Sequence, residues 1–326
     1  MKFNYSQICF EILKDLPKRQ KDVLLRRFGL RSKAGKRETL ESIGKSMNVT
    51  RERVRQIERD GFLGLKSEVK NSSVVFQFLQ ECLKKKGGLK REEALLEELG
   101  GQKEKNQIYF LLTLSENFQR FAETEDFYSL WTLGQNYLLK AEKVLTSIYS
   151  KLKKFGKPAT FNGLKSFGLV NQNTLASCLE VSRKIQRNSE GFYGLKEWPE
   201  INPRGVKDKA YIVFKKEKRP LHFNEVASLL EKALPQTVHN ELIKDPRFVL
   251  VGRGLYALQE WGYEQGYVKD VIYKILKEAK GPLSKEDVLA KVLKQRMVKE
   301  NTILLNLNNN QYFSKTPEGG YTIKEA

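Results

Sequence analysis

The chain has 326 residues, with 59 Lys and Arg against 39 Asp and Glu, for a formal charge of +20 at neutral pH. That length predicts two to three domains at ordinary domain size, and the surplus charge calls for an anionic partner, with nucleic acid first and a membrane surface second. No apolar run is long enough to span a bilayer and no secretory signal is present, so the expectation is a soluble, cytoplasmic, nucleoid-associated protein with no membrane partner.

Residues 1–70 carry about +9, nearly half of the total on a fifth of the chain. Phe3, Tyr5, Ile8, Phe10 and Ile12 suggest a short apolar segment that packs on the helices after it. Leu16-Pro17 predicts a helix start with proline near the first turn, and Val23, Leu24 and Phe28 form its inner stripe. The linker Arg31-Ser-Lys-Ala-Gly-Lys-Arg-Glu38 is strongly basic.

Residues 39–58 carry the sharpest signal. Thr39 is an N-cap for a helix striped by Leu40, Ile43 and Met47. Gly44 lets a second helix cross closely. Asn48 tolerates the left-handed backbone of a sharp turn, and Thr50 caps the second helix. On that helix Val54 and Ile57 point inward, while Arg51, Glu52, Arg55 and Gln56 share the opposite face. Arginine can fork onto guanine, glutamine onto adenine, and glutamate can accept from cytosine, each pair discriminating by about 1–3 kcal/mol. A helix-turn-helix places such side chains in the major groove of duplex DNA. The competing reading is a solvated charged face, and the joint spacing of caps, Gly44, Asn48 and apolar stripes argues against it.

Residues 13–66, through the string Val49-Thr-Arg-Glu-Arg-Val-Arg-Gln-Ile-Glu58, resemble region 4 of sigma-70-type sigma factors. The resemblance implies binding to a −35 promoter element and docking on the β flap of RNA polymerase. It implies base reading by Arg51, Glu52, Arg55 and Gln56, with Arg27, Thr39 and Arg53 on the phosphate or positioning side. Arg37 in the basic linker and Thr50 at the cap join these as candidates. The sequence departs from the family at Ser42, where an acidic residue would complete a capping box. It departs again at Asp60, Gly61, Leu63 and Gly64, where glycine costs up to about 1 kcal/mol in a helix interior and predicts a short or frayed tail. With about a dozen residues ahead of this module, a complete sigma factor is not expected.

Beyond residue 70 the chain repeats. Tyr128, Tyr193, Tyr256 and Tyr321 close four aromatic strands spaced by 65, 63 and 65 residues. In phase with them run Asn106-Gln-Ile108, Asn173-Thr-Leu175, Gln236-Thr-Val238 and Asn301-Thr-Ile303, and a Gly or Pro break ahead of a helix. Each unit reads as helix, break, helix, capped helix and hairpin. In the third, the helices are Tyr211–Lys216, Phe223–Leu234 and Thr237–Lys244, followed by two strands joined at Gly252-Arg-Gly254. The fold class is therefore mainly α, with an N-terminal helix-turn-helix bundle (1–70) and four tandem winged-helix modules (71–134, 135–198, 206–262 and 266–326). Trp198-Pro-Glu-Ile-Asn-Pro-Arg-Gly205 is the clearest linker. The third unit, Arg219 to Trp261, resembles the HARE-HTH family, which includes the N-terminal domain of the RNA polymerase δ subunit.

The third helices of these units are poor in Arg and Lys, and Asn301–Asn308 has neither. Lysine runs at Lys84–Lys86, Lys151–Lys154 and Lys215–Arg219 end the first helices instead. Either they touch phosphates without sequence preference, or they are solvated ends favoured by the helix dipole. Tyr256 and Trp261 read as core, and His222 and His239 as ordinary polar or half-buried groups. Cys9, Cys82 and Cys178 are isolated in apolar contexts and read as reduced thiols. No Cys/His metal set, phosphate-cradling glycine loop or nucleophile with a base occurs. The expectation is a non-enzyme without cofactor, metal or small-molecule ligand. Three functions compete: a promoter-reading initiation or regulatory protein, a δ-like subunit whose winged helices dock on RNA polymerase, and a sequence-tolerant chromosome binder.

Overall fold

A computed structural model describes residues 3–31, 35–65, 73–167, 170–230, 233–279 and 281–324. The middle of the basic linker, the segment joining residue 65 to residue 73, and Glu231 and Lys232 lie outside the described residues. The chain is mainly helical and divides into two compact units between Glu197 and Trp198.

The first unit begins with four helices: α1 (Tyr5–Ile12), α2 (Lys18–Arg27), α3 (Leu40–Ser46) and α4 (Arg51–Gly64). Asn4 caps α1, and Tyr5, Cys9 and Ile12 face inward at helical spacing, which leaves Phe10 exposed. Pro17 stands at the N-cap of α2. Val23, Ile43, Val54 and Ile57 form a small core that fixes α2, α3 and α4 together. The tail of α4 is not short. The helix continues through Gly61 to Gly64, because Gly61 is buried against Leu24: a Cβ there would meet Leu24 Cδ1 at 3.1 Å. Close packing on α2 offsets the backbone cost of glycine.

Next come α5 (Ser73–Lys85), β1 (Leu89–Arg91), α6 (Glu92–Gly100), α7 (Lys105–Leu114), β2 (Gln119–Phe121) and β3 (Leu130–Thr132). Their sheet has the order β1-β3-β2, antiparallel throughout. The same order recurs with α8 (Gln135–Phe155), α9 (Phe161–Lys165), α10 (Gln172–Val181) and the hairpin β4 (Ile185–Arg187) and β5 (Tyr193–Leu195). Here an isolated bridge, Ala159 to Tyr193, stands where the first strand was.

The second unit holds α11 (Gly205–Glu217), β6 (Leu221–His222), α12 (Phe223–Leu229), α13 (Pro235–Lys244), β7 (Phe248–Gly252) and β8 (Leu255–Leu258), in sheet order β6-β8-β7. It ends with α14 (Val268–Glu278), α15 (Lys285–Gln295), α16 (Glu300–Leu307) and the hairpin β9 (Phe313–Lys315) and β10 (Tyr321–Ile323). Several helix bounds differ from the sequence reading, by a residue or two at the end of α11 (Glu217) and the start of α13 (Pro235), and by more at two others. Helix α11 starts at Gly205, six residues ahead of Tyr211, with the Arg204 amide donating to Asp208. Helix α12 ends at Leu229.

Tyr256 is buried, and Trp261 packs half-buried at the hairpin. His222 caps α12 through Nδ1 and stacks on Phe223, which in turn stacks on His239. Burial pushes the Cys178 thiol up to about 12 and raises Cys9 and Cys82 as well. No described helix is long and apolar enough to cross a membrane.

Candidate nucleic-acid interface

The face of α4 is built by two hydroxyl caps and one turn. Thr39 Oγ1 accepts the Ser42 amide at 3.1 Å, and Thr50 Oγ1 accepts the Arg53 amide at 3.2 Å. Both satisfy backbone donors that a helix start leaves open. Asn48 sits at φ 52°, and a Cβ on Gly44 would lie 2.7 Å from the Val49 carbonyl oxygen. The turn therefore closes only with these two residues or near equivalents. Val54 and Ile57 are buried beneath the helix, which leaves Arg51, Glu52, Arg53 and Arg55 exposed and Gln56 half-exposed.

Those outward groups engage one another. Arg55 donates to both Glu52 carboxylate oxygens, at 2.9 and 2.7 Å, and Arg53 Nη1 donates to Gln56 Oε1 at 3.0 Å. The Arg55 guanidinium holds the Glu52 carboxyl below the usual carboxylate range. Exposed pairs of this kind contribute little to stability, so they can exchange for base edges without a large cost. Arg51 projects exposed from the first turn, its charge helping Arg55 to hold the Glu52 carboxyl down.

The flanking candidates are more constrained. Arg27 lies 3.3 Å from Glu58 and donates to the Glu38 carbonyl at 3.1 Å, tying α2 to α4 and to the loop between α2 and α3. Burial raises the Glu58 carboxyl despite that pairing. Arg26 forks onto Glu38 at 2.9 and 2.6 Å. Arg37 is turned inward: its guanidinium lies 3.8 Å over the Tyr109 ring, and Nε donates to Asn106 Oδ1 at 2.9 Å. Burial pulls its pKa below the ordinary arginine value.

Sequence patterning gives no hint of this junction. Asn106 Nδ2 donates to the carbonyls of Gly29 (3.2 Å) and Gly35 (2.7 Å), so one amide closes the loop that precedes the helix-turn-helix. Beside it, Phe110 of α7 meets Phe28 at 5.2 Å and Phe62 at 6.4 Å between ring centroids. A single core runs from Tyr5 and Cys9 through Phe28 and Leu65 to Phe110, Leu111 and Trp131. In the sequence Asn106 is only a landmark of the repeat, and nothing there points to a partner about 70 residues upstream.

The third helices of the first two repeats are thereby occupied. On α7, Gln107, Ile108, Phe110, Leu111 and Leu112 are buried in the core shared with the N-terminal helices. On α10, Thr174 packs on Gly87, and Thr174 to Val181 is largely buried beside β1. In the second unit, α13 and α16 keep one open face each, on which Ile243 and Leu305 are exposed.

Residues 12–67 match the family model for sigma-70 region 4. Over 56 residues the chain is 52% identical to the RNA polymerase sigma factor RpoD of Helicobacter pylori, covering 17% of this chain and 8% of that protein. It is 45% identical over 62 residues to sigma factor SigA of Nostoc (19% and 15%). It is 44% identical over 62 residues to sigma factor sigB of Arabidopsis thaliana (19% and 10%). The chain thus spans less than a sixth of the length of each of these relatives.

Proposed function

We propose that this protein is a DNA-binding transcription initiation or regulatory factor that reads a −35-like promoter element with Arg51, Glu52, Arg55 and Gln56, aided by Arg27, Thr39, Thr50 and Arg53. RNA polymerase is the second partner. The observation that carries the reading is the fork-and-amide face of α4, exposed on a helix whose caps, Asn48 turn and buried Val54 and Ile57 hold it rigidly. A match to sigma-70 region 4 over the same residues supports it. Arg37 is assigned to positioning rather than to phosphate, because its guanidinium already sits on Tyr109. The four helix–helix–helix–hairpin units are read as winged helices, the third of HARE-HTH type. The protein is read as acting without a cofactor or catalytic step.

Alanine at Arg55 or Gln56 should remove preference among promoter-like duplexes, each pair being worth about 1–3 kcal/mol of discrimination. Unchanged preference in both variants would sink the reading.

A δ-like role, docking on RNA polymerase, is favoured by a separate observation. Helices α13 and α16 open a face with exposed Ile243 and Leu305, and α16 carries no cation. Under that reading a polymerase pull-down survives Arg55→Ala and is lost when residues 206–326 are deleted.

A further inference from the structure

Of the three lysine runs that end first helices, two are paired in part: Lys86, Lys215 and Arg219 meet carboxylates, while Lys84, Lys85, Lys216 and Lys218 are exposed and meet none among the described residues. Just past α5, Lys86 pairs with Glu98, which also takes Lys90 of β1; Lys90 lies 3.9 Å from Glu180 as well. At the end of α11, Lys215 pairs with Glu260 at 2.6 Å, and Arg219 pairs with Glu225 and Glu217. The run at the end of α8 differs. Between Glu142 and Glu180 the sequence has no Asp or Glu at all, while Lys143, Lys151, Lys153, Lys154, Lys157 and Lys165 lie within that interval. All six are exposed, and no carboxylate pairs with any of them among the described residues.

Aromatic rings lie among these lysines. Phe155 is 54% exposed, with Lys157 Nζ 4.8 Å from its centroid, and Lys151 Nζ lies 4.7 Å from the half-exposed Phe167 ring. A solvated helix end favoured by the dipole accounts for cations in the last turn of α8, where Lys153 and Lys154 stand. It does not account for Lys157, which lies beyond that turn and outside any helix, nor for a stretch of 37 residues without an acid, although Lys165 ends α9. Lys151 donates to the Phe167 carbonyl and Lys165 to Gln172 Oε1, both at 3.4 Å, but neither bond supplies a counter-charge, and excess like charge lowers stability. A polyanion laid across them removes that repulsion and releases its own counterions.

We propose that the end of α8 and the following segment through Lys165 form a second DNA-binding surface, which holds the phosphate backbone of duplex DNA without reading sequence. The partner is DNA because the lysines are point charges without the fork geometry of base readout, and because the chain already offers α4 to a duplex. The choice of DNA rests on the proposed reading of α4, but the surface is made of other residues and is tested separately from Arg51 to Gln56.

The test uses the full-length protein with Lys153, Lys154 and Lys157 each changed to glutamine. Affinity is measured for a promoter-like and a scrambled duplex between about 50 and 200 mM salt. Every phosphate that is no longer neutralised flattens the slope of log K against log salt by about 0.9. The expected result is a slope shallower by about 2–3 and weaker binding of both duplexes by the same factor. A control triple, Lys86→Gln with Lys90→Gln and Lys215→Gln, should leave the slope unchanged. Sequence preference follows Arg55→Ala instead, so a failure of the two proposals can be told apart. An unchanged slope in the α8 variant overturns the inference. So does a loss confined to anionic lipid vesicles, which would make the surface a membrane contact.

Discussion

The Arg37 guanidinium lies over the Tyr109 ring at 3.8 Å, across the seam between the helix-turn-helix and the repeat that follows it. Asn106 completes the seam, donating to Gly29 and Gly35 and accepting from Arg37. One asparagine thus serves three partners, and Asn106→Ala leaves two carbonyls and a half-buried guanidinium unsatisfied together. A buried group left without its partner costs about 1–3 kcal/mol, so the variant should lose a few kcal/mol at most in urea unfolding of the first unit. Tyr109→Ala should cost a similar amount, because stacking and packing both go with the ring. Both should weaken DNA binding by increased freedom of the loop before α3. Full stability in both variants would show that the seam does not hold the loop.

The turn between α3 and α4 makes a second prediction. A methyl group at position 44 would lie 2.7 Å from the Val49 carbonyl, which is backbone and cannot rotate away. Gly44→Ala gains helix propensity of about 1 kcal/mol but must push α4 outward. The clash should prevail, with a net loss of about 1–3 kcal/mol and weaker DNA binding, since the base-facing side chains move with α4. Thermal unfolding of the variant checks the sign: a raised Tm would mean that the two helices have room to spare at their crossing.

The helix-turn-helix was legible in sequence because its determinants are local. Thr39, Gly44, Asn48 and Thr50 each act within about a helical turn or two of their own position, and the structure places each cap and the turn where that spacing put them. The seam was illegible because it joins residues about 70 apart, and Phe110 on an amphipathic helix carries no sign of which neighbour it will meet. The α4 tail departs from expectation for a related reason: helix propensity counts Gly61 as a cost, while packing against Leu24 is what allows the helix to continue. The lysine runs themselves look alike. The acid-free stretch after Glu142 marks the α8 run in sequence, but only the structure shows which members of the other runs meet a carboxylate, Lys86 on Glu98 and Lys215 on Glu260 among them.

The second unit carries a pH-sensitive tie. Arg247 bridges Asp245 at 2.6 Å and Asp208 at 2.7 Å, joining β7 to α11, and both carboxylates are nearly buried. Hydrogen bonds from Arg247, outweighing burial, hold the Asp245 carboxyl below its ordinary value of 3.8. A depressed folded pKa contributes stability above the unfolded value, and that stability is lost as pH falls through the folded one. Asp245→Asn should therefore destabilise the unit at pH 7 and make its stability flatter with pH below about 4. The loss should be about 1–3 kcal/mol, short of the 3–5 for a fully buried broken pair, because Arg247 keeps some solvent access. Parallel acid titrations of parent and variant would expose a wrong sign at once.

Arg296 makes the last prediction. It is 2% exposed and forms no ion pair with a carboxylate among the described residues; its guanidinium donates to the carbonyls of Glu264 (2.6 Å), Gly266 (2.9 Å) and Gln295 (3.2 Å). Burial pulls its pKa below the ordinary arginine value. Next to it the Met297 amide donates to Val251 at 2.7 Å, so the end of α15 is stitched both to the segment ahead of α14 and to β7. A planar fork reaches several carbonyls at once, and an ammonium on a flexible stem does not reproduce that geometry. Arg296→Lys should thus behave as a loss rather than a conservative exchange, while Arg296→Met, which removes the buried charge and its need for partners, should cost less if the cavity is filled. The readout is hydrogen exchange at residues 262–268, expected to speed up roughly tenfold or more in the lysine variant, as a loss of about 1.4 kcal/mol in local opening would give. Equal protection in parent and Arg296→Lys would mean that the Met297–Val251 bond and the flanking apolar contacts hold the two repeats together without the guanidinium.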